Sequence, residues 1–298
     1  MQVQITGSVC ALITPFTDAE QIDFAALERL LEAQIQGGTH ALVIGGSTGE
    51  SVALEEPELA ELWRAAARLA AGRIQIVAGT GAPSTAKSLR MTRLAQDCGV
   101  SAALVVTPAY ARPSQEGLFK HFSRIAERGG LPIVLYNVPA RTACDLLPET
   151  VAQLAQLPQV IGIKEALPER ARMQQLLNLQ DEHFSVLSGD DPSALASYQL
   201  GARGLVSVAA NPLPAAMRQL WEFCQAGKWP DAEALNNRLT PTFAALSLES
   251  NPIPVKWAMH ALGYCGPSIR SPLNELGLTH RVTLMNALAA FNARALDT

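Results

Sequence analysis

Lysine is scarce in this 298-residue chain, with five residues (87, 120, 164, 228 and 256) against 18 arginines. Basic runs are absent as well. The 23 basic and 27 acidic residues leave a formal charge of -4, and no basic stretch is interleaved with aromatics. That pattern argues against a nucleic-acid partner, because neutralising phosphates needs a clustered positive footprint. Long apolar runs are missing too. Stretches such as Ala102–Val106 and Ile74–Ala78 fall far short of the roughly 20 residues that cross a bilayer, so no membrane span is expected. The N-terminus, MQVQITG, lacks a basic patch followed by an apolar run, so no signal peptide is expected. No Cys-x-x-Cys occurs; Cys10, Cys98, Cys144, Cys224 and Cys265 stand at least 40 residues apart and read as reduced, buried small groups of a cytoplasmic protein. His40, His121, His183, His260 and His280 are scattered, and no His or Cys pair has metal-ligand spacing, so neither a metal nor a cofactor is expected.

What is present is a 48% hydrophobic composition in a chain long enough to bury roughly 75% of its unfolded surface without a staple. Short runs rich in Val, Ile and Leu begin at 8, 40, 73, 101, 132, 160, 184 and 202. Continuous apolar runs without polar alternation suit strands buried on both faces, as in a parallel sheet. Helical stripes lie between them. Asp23 can cap a helix carrying Phe24, Leu27, Leu30, Leu31 and Ile35, stopped by Gly37-Gly38; Leu59, Leu62, Trp63, Ala66 and Leu69 form the next stripe, with Pro57 in its first turn. Eight strand–helix units of about 30 residues predict an α/β fold, a (β/α)8 TIM barrel. A doubly wound open sheet shares the alternation, but the count of eight and the lack of G-x-G-x-x-G after any strand favour the barrel. Beyond about 212 the pattern is helical only, around 213–226, 230–246, 254–262 and 280–295. The expected organisation is a barrel over 1–220 and a helical extension over 221–298 packed on it.

Chemistry in such barrels sits at the C-terminal strand ends. Polar and glycine residues collect there: GGSTGES (45–51), AGTGA (78–82), TPAYARP (107–113), YNVPART (136–142), IKEA (163–166) and SGDD (188–191). Lys164 alone lies within a run, sharing strand parity with Val160 and Gly162. An interior lysine is expensive when charged, and a neutral amine can attack a ketone to give an imine that acts as an electron sink. The alternative is a lysine that snorkels to the strand end or pairs with Glu165. The other four lysines read most simply as solvated. Tyr136 and Lys164 are 28 residues apart, matching the offset between their runs, so both stand at one height on adjacent strands. There a phenol can shuttle the protons of imine formation, although a core tyrosine is the plainer reading. GGSTGE can form a small nest of N–H groups for a carboxylate, or simply a tight turn.

Together, GGSTGES, AGTGA, TPAYARPSQEG, YNVPARTACDLLPET, IGIKEA, LSGDD, GARGLVSVAAN and NPIPVKWAM resemble the dihydrodipicolinate synthase and N-acetylneuraminate lyase family of class I aldolases. The likeness covers nearly the whole chain and every strand end. It implies a (β/α)8 barrel with a C-terminal helical region, assembled as a homotetramer made of two tight dimers. It also implies a Schiff base between Lys164 and pyruvate, with Tyr136 as proton donor and acceptor. Ser47 would join a proton relay to Tyr110, a tyrosine that reaches in from a partner subunit. Thr48 would bind the pyruvate carboxylate, Val206 would lie beside pyruvate, and Arg141 would hold the carboxylate of aspartate semialdehyde.

Arg141 separates the branches of the family. A guanidinium fork suits a small aldehyde bearing a carboxylate, which favours condensation of pyruvate with L-aspartate 4-semialdehyde. The spelling GGST, common in lyases, keeps a sugar-acid lyase or aldolase as the alternative. An idle keto-acid-binding paralogue is a second alternative, disfavoured by the complete set Lys164, Tyr136, Ser47 and Tyr110. The family's lysine-inhibitor pocket corresponds to Glu56, Pro83, Lys87 and Ala109, where a cation and two small or amide-lacking residues predict weak or absent inhibition.

Overall fold

The computed structural model describes residues 3–293. Eight strands pair in parallel in chain order, and the last closes on the first. They are β1 (Gly7–Ala11), β2 (Ala41–Ile44), β3 (Gln75–Gly79), β4 (Ala102–Val106), β5 (Ile133–Asn137), β6 (Val160–Glu165), β7 (Ser185–Ser188) and β8 (Gly204–Ser207). Each overlaps one of the eight apolar runs. Helices α1 (Phe24–Gln36), α2 (Glu56–Ala70), α3 (Thr85–Asp97) and α4 (Gln115–Arg128) follow the first four strands in turn. A short α5 (Pro139–Thr142) and α6 (Pro148–Leu154) follow β5, and α7 (Arg170–Leu177), α8 (Ala194–Leu200) and α9 (Pro214–Gln225) follow β6, β7 and β8. The extension adds α10 (Trp229–Ala245), α11 (Ile253–Ala261) and α12 (Leu278–Ala293).

The strands are apolar on both faces because two separate cores claim them. Val9, Val43, Val77, Leu104, Val134 and Val206 fill the barrel interior, while the other face packs under the helices. Local signals set the helix ends. The Asp23 carboxylate accepts from Ala26 N at 2.9 Å, capping α1, and the Trp63 indole donates to Ile44 O at 3.1 Å, tying α2 to the end of β2. Phe24 is the member of its stripe left exposed, at the first residue of the helix.

One parity expectation fails at the start of β6. Pairing steps from Ile133↔Val160 to Val134↔Gly162, so Ile161 is an extra residue, a β-bulge. Ile161 therefore joins the interior core and Val160 the outer one. From Gly162 onward the register is regular, and Lys164 faces inward as expected. The expected division at 220 falls inside α9, which packs on β1 as the eighth barrel helix. The predicted segment 280–295 corresponds to α12, which begins two residues earlier, at Leu278; residues 294 and 295 lie outside the described residues. Among the described residues no helix is long and apolar enough to cross a membrane. All five cysteines are buried and free.

Candidate active site

Tyr136 and Lys164 are direct register partners on β5 and β6. Lys164 Nζ sits 4.2 Å from the centre of the Tyr136 ring, and the lysine is only 6% exposed. Gly189, beyond the end of β7, leaves its path clear, since a Cβ there would lie 2.8 Å from Lys164 Cε and 3.0 Å from Cγ. Among the described residues no carboxylate stands within ion-pair distance of Lys164. The suggested pairing with Glu165 does not occur, because successive strand residues point to opposite faces.

Glu165 instead builds a brace behind the strand ends. Its carboxylate accepts from Arg172 Nε at 2.7 Å, Asn137 Nδ2 at 3.0 Å and Leu167 N at 2.8 Å. Burial pushes this carboxyl up, opposed by the Leu167 amide, Arg172 and Asn137. Arg172 also pairs with Asp145 at 2.9 Å, and Leu146 N donates to Asn137 Oδ1 at 2.9 Å. The residues next to Tyr136 and Lys164 are thus locked to each other and to the segment that follows Arg141. A buried, satisfied polar network of this kind rigidifies what it touches.

In front of the wall lies a cavity of about 240 Å3, lined among others by Lys164, Tyr136, Ser47, Thr48, Arg141 and Asn251. The Ser47–Thr48 loop leaves β2 through Gly45, whose φ of +66° favours glycine. It passes so close to β3 that a Cβ on Gly79 would stand 2.3 Å from Gly45 O. Thr48 is buried, and its Oγ1 accepts from Asn251 Nδ2 at 3.0 Å. Arg141, on α5, donates from Nη2 to Asn251 O at 3.1 Å. Asp191, at the end of β7, accepts from Val208 N and Ala209 N at 3.0 and 2.9 Å, and burial pushes its carboxyl up.

Five of the seven residues singled out from the sequence therefore meet at one cavity. Val206 lies in the barrel interior beneath it, and Val208 is the β8-end residue that lines the wall. Tyr110 stands apart from this chain's cavity. It is 96% exposed, with φ +70°, in a loop held by its N–H to Thr142 O at 3.4 Å. Among the described residues no hydrogen bond joins Ser47 to Tyr136.

Sequence reasoning missed Asn251, although NPIPVKWAM was noticed, because nothing in its spacing says that the extension folds back over the barrel mouth. It also misread Lys256 as solvated. That lysine is 1% exposed and forms a buried ion pair with Glu50. Ile253 and Met259, three residues either side of it on α11, are buried too, and that face was the available signal.

The dihydrodipicolinate synthetase family model matches residues 4–291. The chain belongs to that family. It is 48% identical over 295 residues to a 4-hydroxy-tetrahydrodipicolinate synthase of Xanthomonas campestris pv. campestris, covering 99% of this chain and 97% of the relative. Among solved structures it resembles a chloride-inhibited dihydrodipicolinate synthase of Acinetobacter baumannii complexed with pyruvate, with TM-score 0.95 and 41% identity over 97% of this chain and 99% of that one. It also resembles the 4-hydroxy-tetrahydrodipicolinate synthase of Methylacidiphilum fumariolicum SolV, with TM-score 0.96 and 41% identity over 99% and 98% of the two chains. In this family member the cavity at the barrel mouth is the candidate active site.

Proposed function

We propose that this chain is a 4-hydroxy-tetrahydrodipicolinate synthase, condensing pyruvate with L-aspartate 4-semialdehyde through a Schiff base on Lys164. The observation that carries the assignment is an inward-facing lysine at a barrel mouth, 4.2 Å from the centre of a tyrosine ring and, among the described residues, with no carboxylate within ion-pair distance. Lys164 Nζ adds to the ketone carbon of pyruvate, while Thr48 and neighbouring N–H groups hold the carboxylate. Tyr136 returns a proton to the departing hydroxyl, water leaves, and the iminium remains. Loss of a methyl proton gives the enamine, whose carbon attacks the aldehyde of the semialdehyde, and the new alkoxide takes a proton. The substrate's own amine then attacks the iminium carbon, which closes the ring and frees Lys164.

No metal or organic cofactor enters this scheme, because the iminium is itself the electron sink. Arg141 is the recognition group for the semialdehyde carboxylate, with Val206 behind the pyruvate site. Ser47 relays protons between Tyr136 and Tyr110 of the partner subunit; the exposed, backbone-strained Tyr110 of this chain is suited to serve a neighbour's cavity in return. We propose a homotetramer built as a dimer of dimers, located in the cytoplasm. The extension that follows the eighth barrel helix is functional on this reading, since it supplies Asn251.

Weak lysine inhibition belongs to the same reading. Arg90 and Lys87 already hold Glu56, at 2.6 and 3.9 Å, so an incoming ammonium group meets an acid that is taken. Pyruvate with borohydride is expected to leave an adduct on Lys164, read by peptide mass spectrometry; an unmodified peptide refutes the Schiff base. A coupled assay is expected to favour aspartate semialdehyde over N-acetylneuraminate and 2-keto-3-deoxy sugar acids, and the reverse ranking refutes the substrate.

A further inference from the structure

Behind the Ser47–Thr48 loop, four separate segments meet around two buried charges. Lys256, on α11, donates to Glu50 and, at 2.6 Å, to Thr14 O. Its Nζ lies 4.1 Å from the centre of the Phe16 ring. The other Glu50 oxygen accepts from Arg270 N at 3.0 Å, and the Arg270 guanidinium covers the same Phe16 ring at 4.5 Å while gripping Glu58 at 2.6 and 2.8 Å. Glu50 itself has φ +56°, a left-handed backbone that a non-glycine residue adopts only when its surroundings impose it. Burial disfavours the Lys256 ammonium and Glu50 opposes that shift.

The two segments joined here are joined a second time in the cavity. Thr48, two residues before Glu50, accepts from Asn251, five residues before Lys256, and the Asn251 carbonyl accepts from Arg141. We propose that the Glu50–Lys256 pair is a positioning device: it clamps the extension to the barrel so that Asn251 fixes the Thr48 hydroxyl and the Arg141 guanidinium for their substrate carboxylates. Neither charged residue touches substrate. A buried pair is costly to assemble and weak evidence for stability alone, whereas its directionality fixes one arrangement of the segments that carry it. The inference rests on the aldolase reading above, in which Thr48 holds pyruvate.

The test replaces both charges at once, because removing one leaves the other buried and alone. The double variant K256M/E50M is expected to give a cooperative thermal transition. Its KM for pyruvate is expected to rise by about tenfold or more while kcat falls less than about threefold, the signature of lost uniform binding. The pyruvate concentration for half-maximal borohydride trapping is expected to rise by the same factor. Asn251→Ala is expected to reproduce the rise and to add little to the double variant, since both act through one contact. A folded double variant with unchanged pyruvate dependence overturns the proposal, as does full additivity with Asn251→Ala. Should K256M/E50M fail to fold, K256M/E50Q, which keeps an acceptor for Arg270 N but removes both charges and the bond between them, carries the same kinetic test and the same refutation. Failure of the aldolase reading is separately visible, as an unmodified protein that forms no borohydride adduct.

Discussion

Two buried lysines sit over aromatic rings in this molecule, and they differ in one respect. Lys164 Nζ lies 4.2 Å from the Tyr136 ring centre and Lys256 Nζ 4.1 Å from that of Phe16. Lys256 has a carboxylate in contact and a carbonyl beside it; Lys164 faces a cavity, and its nearest acid in sequence, Glu165, is turned to the other side of the strand. The Lys256 amine is engaged by a carboxylate and a carbonyl and is a fixture of the fold. The Lys164 amine has no ion-pair partner among the described residues and faces open space that a ketone carbon can enter. On the proposed function, burial alone does not mark the catalytic lysine; burial without an ion-pair partner, open to a cavity, does.

Four outcomes would break or sharpen that contrast. Lys164→Met is expected to lower kcat/KM by more than about 10^3-fold while leaving the melting transition unchanged or raised, since it removes a buried amine that has no ion-pair partner among the described residues to lose. A large loss of stability there would make Lys164 a fixture like its counterpart. Lys256→Met alone is expected to destabilise by about 3–5 kcal/mol in denaturant titration, because Glu50 is left buried and uncompensated; a shift below about 1 kcal/mol would place that pair with ordinary surface ion pairs. Gly189→Ala tests the room that Lys164 needs. Its Cβ would press on Cγ and Cε, and a displacement of the amine of that order is expected to cost about 10- to 10^2-fold in rate with little loss of stability. Unchanged kinetics would mean that the lysine's path is not constrained there.

The smallest effect concerns a buried base rather than a lysine. His121, on α4, has Nδ1 bonded to Thr85 Oγ1 at 2.9 Å and a buried Nε2 that has no partner among the described residues, and burial pushes its imidazole down from 6.5 to about 4. Its folded value lies below its unfolded one, so its contribution to stability is complete above the unfolded value and is lost as pH falls toward the folded one. Between about pH 6.5 and 4 the loss is at most about 3 kcal/mol. In His121→Phe this part of the pH dependence, followed by denaturant titration, is expected to vanish. An unaltered slope would assign the acid sensitivity to other groups.

Legibility in the sequence followed the range of the interactions involved. The eight strands, the Asp23 cap of α1, the position of Pro57 in the first turn of α2 and the level pairing of Tyr136 with Lys164 were all readable. Each depends on residues adjacent in sequence or on a constant strand offset. The bulge at Ile161 was not, because it is a misfit between two strands rather than a property of either. The brace of Asn137, Asp145, Glu165 and Arg172 was hidden for a related reason: each member is an ordinary polar residue until β5 and β6 are placed side by side.

By itself the chain determined that it would be a barrel, that its chemistry would gather at one end of the strands, and that one lysine would stand inside. Periodicity and composition carry that much, since continuous apolar runs and end-loaded polar residues have few other solutions. Only the tertiary structure decided that Glu165 is braced by Arg172 and Asn137, that Asn251 meets the Thr48 hydroxyl, and that a second lysine from residue 256 is buried against the loop at 50. Those outcomes depend on which distant segments meet, and the partner of a buried charge is chosen by three-dimensional proximity rather than by neighbours along the chain.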